Sequence, residues 1–116
     1  MTAKLIFKIL TSAQWRQAEA EGVFRGAPID LKDGYIHFST SEHVRGTADK
    51  HFAGINDLLL AAVDADMLGE KLVYEISRGN ALFPHLYDVL DLGAVKWVKP
   101  MRLGSNGMHE LPDMAS

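Results

Sequence analysis

The segment Asp33–Ser41, which reads DGYIHFSTS, carries the side chains best suited to chemistry in this sequence. If the segment is extended, Tyr35, His37 and Ser39 share one face at intervals of about 7 Å. Thr40 belongs to the hydroxyl residues that can cap a following helix, whose N-terminal N–H groups attract polar or phosphorylated ligands. The segment therefore predicts a ligand-binding strand that leads into a helix. The alternative is structural: a half-buried tyrosine, a histidine bonded to a carbonyl group, and hydroxyl groups that only cap.

A second candidate segment, Phe83–Tyr87, reads FPHLY. Pro84 restricts the residue before it to an extended conformation, so His85 and Tyr87 should alternate onto one face. A stiff strand that presents an imidazole and a phenol can close a pocket. The alternative is an ordinary edge strand with its proline at the entry.

Glu75 lies between two apolar residues on a predicted strand. One interpretation is an outward-facing carboxylate that is solvated or salt-bridged. If the site lies on the same face, Glu75 can instead act as a general base or hold a ribose hydroxyl.

Several kinds of site lack their sequence signature. The chain has five histidines and no cysteine, and the histidines lack the helical spacing of a zinc pair, so we expect no metal site. Without cysteine, disulfides and thiol nucleophiles are excluded. There is no Gly-x-Ser-x-Gly elbow and no glycine-rich phosphate loop.

Composition and charge indicate which kinds of partner and which cellular compartment to expect. The net charge is −3 and the basic residues are scattered, which argues against binding to duplex nucleic acid. The longest apolar run, Leu58–Val63, is far shorter than the roughly 20 residues that cross a bilayer. No signal peptide is recognisable at the N-terminus, so we expect a cytoplasmic protein that does not contact a membrane.

The periodicity of the chain predicts an α+β domain with a mixed or antiparallel sheet and two short helices in the N-terminal half. The first helix should begin after Thr11, in the capping box TSAQ, end at Gly22 and bury Trp15. The second should span about residues 41–52, and Gly22–Lys32 is predicted to be a loop. Strands are predicted near residues 4–10, 35–39, 57–64, 72–77, 89–92 and 94–103. We expect one domain over residues 1–103 and a polar C-terminal tail over residues 104–116.

Taken together, these segments resemble a known bacterial family. The blocks Ile-His-Phe-Ser at 36–39 and Phe-Pro-His-Leu-Tyr at 83–87, with Trp15, Phe52 and Glu75, resemble the family called domain of unknown function 952. That family is similar to the ADP-ribosyltransferase-like group, in which a split β-sheet holds NAD in a cleft. Locally, His37-Phe38-Ser39 and the later Val63-Asp64-Ala65 look like RNA 2′-phosphotransferases, although Phe7-Lys8-Ile9 stands where those enzymes have a His-Gly-Thr block.

The resemblance implies roles for the candidate residues. An enzyme, or the relic of one, would bind NAD or a related nucleotide and transfer or hydrolyse ADP-ribose. His37, Glu75 and His85 would be catalytic, and the ligand would contact a set shared between the two segments: Tyr35, His37, Ser39, Thr40 and Tyr87. The alternative is a non-catalytic module on the same fold that binds a small ligand or a protein.

Overall fold

The computed structural model describes residues 4–114, apart from the side chain of Arg78, and shows a mixed α+β fold. Its helices are α1 Ser12–Glu21, α2 Pro28–Asp33 and α3 Val44–His51. Its strands are β1 Leu5–Thr11, β2 Val23–Phe24, β3 Ile36–His37, β4 Leu58–Asp64, β5 Leu72–Ile76, β6 Leu82–Leu86, β7 Leu90–Asp91, β8 Val95–Leu103 and β9 His109–Glu110. Every pairing between these strands is antiparallel. No helix within the described residues is long and apolar enough to cross a membrane.

The predicted first helix is confirmed. The signals that begin and end it lie within a few residues of the helix itself. The Thr11 hydroxyl accepts from the Gln14 N–H at 3.1 Å, and the Gln14 side chain accepts from the Thr11 N–H at 2.9 Å. Gly22 ends α1 with φ at 80°, a left-handed conformation that suits glycine. Trp15 packs against the core but is only half-buried, less than the sequence predicted.

The main sheet has the order β1-β4-β8-β9, so β4 lies in its interior. Leu60 and Ala62 face a hydrophobic cluster that includes Val44 of α3, whereas Ala61 and Val63 face the opposite cluster. Burial on both faces explains why β4 is a continuous apolar run, and the strand predicted near residues 57–64 is confirmed.

The segment Gly22–Lys32, predicted to be a loop, contains most of the short helix α2, so the described part of the N-terminal half holds three α-helices and not two. Pro28 is the first helical residue, where its missing N–H costs nothing. The Asp30 carboxylate accepts from the Ala27 N–H at 2.7 Å and thereby caps the helix. Gly34 ends it with φ at 87°.

A second sheet, with the order β3-β6-β5, stands beside the first. β6 is its middle strand, so the edge-strand alternative for Phe83–Tyr87 is wrong. The two sheets are joined where Phe7 and Ser39 exchange two backbone hydrogen bonds of 2.8 Å each. A cleft lined by residues of both sheets lies beside this bridge.

The C-terminal residues differ from the polar tail that was expected over residues 104–116. Strand β9 pairs with β8, and His109 is buried, with its Nε2 2.7 Å from the carbonyl oxygen of Ile55. Arg45 donates to the His109 carbonyl oxygen at 2.8 Å. Leu111 and Met114 pack against the hydrophobic cluster beneath α3, which explains why this segment is ordered. Residues 115 and 116 lie outside the described part.

Candidate functional site

His37 and His85 meet across the second sheet, although 48 positions separate them in the sequence. They are directly opposed in the β3–β6 pairing, and their ring centroids lie 5.5 Å apart. Tyr35 stacks on His85 at 4.1 Å and lies 4.7 Å from the ring of His37. Tyr87 completes the group, 5.2 Å from Tyr35. The structure thus brings together His37 and His85, two of the residues for which the resemblance implies a catalytic role.

The cleft between the two sheets has a volume of about 780 Å³. Three of the predicted site residues line it: His37, Ser39 and His85. α3 and the residue after it also line the cleft, with Thr47, Lys50, His51 and Phe52. Tyr35, Thr40, Glu75 and Tyr87 are not among the lining residues. Tyr35 and Glu75 each contact His85, which lines the cleft, and Tyr87 contacts Glu75.

Behind His37 lies a buried carboxylate, Asp30, which is 2% exposed. One of its oxygens lies 2.6 Å from Nδ1 of His37 and also accepts from the His37 backbone N–H at 3.1 Å. The other oxygen lies 2.9 Å from the ammonium group of Lys8, which is buried as well. Asp30 thus fixes both the ring and the backbone of His37, and it compensates the buried charge of Lys8.

The surroundings of Asp30 set its protonation. Burial would raise the pKa of its carboxyl group, but the hydrogen bond from His37, the charge of Lys8 and the bond from Ala27 lower that pKa to about 2. Burial lowers the pKa of Lys8, and the neighbouring Asp30 partly opposes this effect. At neutral pH, Asp30 is therefore ionised.

The lowered pKa predicts an acid-sensitive contribution to stability. A carboxylate with a pKa of 3.8 in the unfolded chain and about 2 in the folded chain stabilises the fold above pH 4, and this contribution is lost as the pH falls toward 2. The expected loss from Asp30 is about 2 kcal/mol, at 1.36 kcal/mol for each pKa unit. NMR titration of the Asp30 carboxyl carbon, with urea denaturation at each pH, measures both quantities. A titration midpoint near 4 would contradict this account.

The second ring nitrogen of His37 is also engaged. Its Nε2 lies 2.9 Å from a carboxylate oxygen of Asp33, at the end of α2. An ionised carboxylate only accepts hydrogen bonds, so both contacts are hydrogen bonds only when both ring nitrogens carry a proton. His37 is thus held between Asp30 and Asp33, and it faces the cleft with its ring rather than with a free nitrogen.

Glu75 lies on β5, on the sheet face that carries His85 and Phe83. One oxygen of its carboxylate accepts from the hydroxyl of Tyr87 at 2.6 Å and lies 2.8 Å from Nδ1 of His85. These two bonds lower the pKa of Glu75, and the same carboxylate raises the pKa of Tyr87 to about 12. Glu75 is thus a partly exposed, salt-bridged carboxylate, as the first interpretation has it, and its partners His85 and Tyr87 are predicted site residues.

Ser39 and Thr40 point in different directions. The Thr47 hydroxyl donates to the carbonyl oxygen of His43, so the proton in the 2.9 Å contact between Ser39 and Thr47 belongs to Ser39. The oxygen of Ser39 can then accept a hydrogen bond from a ligand in the cleft. Thr40 lies 3.0 Å from Nδ1 of His43, at the start of the 3₁₀ turn Ser41–His43 that precedes α3.

Lys8, Asp30 and Asp33 were missed as site residues by reasoning from sequence. A signal for Asp30 exists, because an acidic residue two positions after a proline is typical of a helix N-terminus. Its ion pair with Lys8 joins residues 22 positions apart, and no local pattern indicates such a contact. Within the described residues, no three metal-binding side chains are arranged to hold an ion.

Residues 9–98 match the family described as "Protein of unknown function (DUF952)". The chain belongs to this family. Among solved structures, the crystal structure of protein CC0527 from Caulobacter crescentus has 46% identity and a TM-score of 0.89, and the match covers 92% of this chain and 94% of that one. Its solution NMR structure has 45% identity and a TM-score of 0.84, with 93% of each chain covered. No curated protein matches this member of the DUF952 family.

Proposed function

We propose that this DUF952 protein binds a nicotinamide dinucleotide such as NAD in its cleft and cleaves the bond between nicotinamide and ribose. Leaving nicotinamide would take the bonding electron pair, and the ADP-ribosyl group would pass to water or another acceptor. The proposal includes an ADP-ribosyltransferase-like fold, with the main sheet and the second sheet as the halves of the split sheet. The single observation that supports the proposal is that the backbone N–H and C=O groups of Ile9, on the outer strand β1, lack a partner among the described residues.

Ile9 presents a donor and an acceptor to the cleft. Phe7 directs its N–H and C=O away from β4 to bond Ser39, and the alternation of an antiparallel ladder directs those of Ile9 the same way. Within residues 4–114, no group bonds them, and Ile9 lines the cleft. A primary carboxamide, such as that of nicotinamide, carries a matching acceptor and donor side by side.

Within the cleft, the open stretch of β1 between Phe7 and Thr11 is only one residue long, which favours a small ligand over a peptide. Phe7 is paired with Ser39 on one side, and the N–H of Thr11 is taken by Gln14 on the other. A peptide that adds a strand to the edge of a sheet needs free backbone N–H and C=O groups at several alternate residues of that edge. A single donor–acceptor pair suits one amide group.

Other lining residues fit the remaining parts of a dinucleotide. The oxygen of Ser39, whose proton is directed to Thr47, can accept from a ribose hydroxyl. Lys50 also lines the cleft, and its positive charge can attract a pyrophosphate. Phe7 and Phe52 also line the cleft and offer apolar surface to a base.

Binding of NAD is the test of this proposal. We expect NAD to raise the thermal unfolding temperature, because a ligand at 100 times its Kd stabilises the folded state by about 2.7 kcal/mol. Nicotinamide alone should compete for the same site. Replacing Ser39 with alanine should weaken the binding of NAD but not the binding of nicotinamide. Ser105→Ala, in the turn between β8 and β9, should leave the binding of both ligands unchanged.

Isothermal titration calorimetry with NAD, ADP-ribose and nicotinamide separates the outcomes. The proposal is wrong if none of the three binds at millimolar concentration. Binding of NAD without formation of nicotinamide would favour the non-catalytic ligand-binding module. The pairing of both His37 nitrogens with Asp30 and Asp33 is the observation that favours this alternative, since it leaves His37 no free group for catalysis.

A further inference from the structure

The contacts of His85 define which of its nitrogens carries the proton. Nδ1 lies 2.8 Å from the Glu75 carboxylate, which accepts a second hydrogen bond from the hydroxyl of Tyr87. Because an ionised carboxylate only accepts, Nδ1 must be the donor. In the neutral ring, Nε2 therefore carries a lone pair.

That lone pair is available to a ligand. His85 lines the cleft, and no group among the described residues bonds its Nε2. The ring is nevertheless held firmly, because its side chain is only 4% exposed and Tyr35 stacks on it at 4.1 Å. His37 differs, since carboxylates of Asp30 and Asp33 occupy both of its nitrogens.

We infer that His85 is the general base of the cleft and that Glu75 is its positioning residue. This inference rests on the proposed function and names the acceptor class: an oxygen nucleophile, either water or the hydroxyl group of a second substrate. A hydroxyl needs a base to remove its proton as it attacks, whereas a thiolate is already deprotonated. A fixed imidazole with a free Nε2 supplies such a base.

The step balances without a further reactant. The bond between C1′ of the ribose and the ring nitrogen of nicotinamide breaks, and nicotinamide leaves with the electron pair. The acceptor oxygen forms its bond to C1′ and gives its proton to Nε2 of His85. The imidazolium that forms is neutralised by Glu75, which keeps its charge because its hydrogen bonds to Tyr87 and His85 lower its pKa.

The experiment measures NAD hydrolysis and NAD binding on the same variants. We expect His85→Ala to lower kcat by about 10²–10⁴-fold, the usual contribution of a general base, while NAD still binds. Added imidazole should restore part of the lost rate, because it can occupy the space that the ring leaves. Purely structural damage would not respond to imidazole.

Glu75→Gln provides a second variant at a partly exposed position, so it is expected to fold. The amide keeps the shape but loses the charge, and kcat should fall by at least 10-fold with KM nearly unchanged. Glu70→Gln, at an exposed position before β5, is the matched control and should retain the wild-type rate.

Several results distinguish the two proposals. If the wild type does not bind NAD, the proposed function fails. If it binds and hydrolyses NAD and His85→Ala does so equally well, the role of His85 is wrong and the proposed function stands. Binding of NAD without hydrolysis would also show that His85 does not act as a general base. Independently of any ligand, ¹⁵N NMR should show the Nδ1–H tautomer of His85, and an Nε2–H tautomer would overturn the inference.

Discussion

Replacing Asp30 with alanine should lower the free energy of unfolding by about 3–5 kcal/mol, the cost of breaking one side of a buried ion pair. The variant leaves the ammonium group of Lys8 buried without its carboxylate. It also removes the acceptor for the backbone N–H groups of Ala27 and His37. Urea denaturation at neutral pH measures the loss.

The partner variant Lys8→Met should cost less. Asp30 would keep three donors, namely the N–H groups of Ala27 and His37 and the ring of His37. Leu31→Ala on the same helix is the control, because Leu31 is 67% exposed and its truncation should change stability by less than about 1 kcal/mol. Equal losses for the two ion-pair variants would show that the backbone contacts of Asp30 contribute nothing.

Leu60→Ala should destabilise the protein by about 2–5 kcal/mol. Leu60 is fully buried on β4, the interior strand of the main sheet, and packs in the cluster that includes Val44 and Ala48 of α3. Its removal leaves a cavity, because neighbouring strands hold the backbone on both sides.

The control for Leu60 is Ile76→Ala, which truncates a β-branched residue that is 68% exposed at the end of β5. Its effect should stay within about 1 kcal/mol of zero. Thermal and urea unfolding provide the comparison. Similar losses for both variants would mean that β4 is not the centre of the core.

Elements with local signals could be predicted from the sequence. The capping box from Thr11 to Gln14 and the left-handed Gly22 define α1 by contacts within the helix itself. Strand β4 is apolar at nearly every position because both of its faces are covered. In each case, the residues that decide the structure are neighbours in the sequence.

Elements that depend on distant contacts could not be predicted. Helix α2 is only six residues long, and its cap, Asp30, is held by Lys8 from another element. The pairing of Glu75 with His85 depends on the register of β5 against β6. Sequence indicated that His85 and Tyr87 share a face, but not which carboxylate they would share.

The recessed position of Ile9 also affects how the protein behaves at high concentration. β1 is an outer strand of the main sheet, a position where chains commonly recruit one another into aggregates. In the part of the chain that the structure describes, Ser39 covers this strand at Phe7, and Gln14 occupies the N–H of Thr11. Between these two contacts, the free groups of Ile9 lie inside a cleft that another chain would have to enter, so the geometry that admits a small amide also protects this stretch of the strand from self-association.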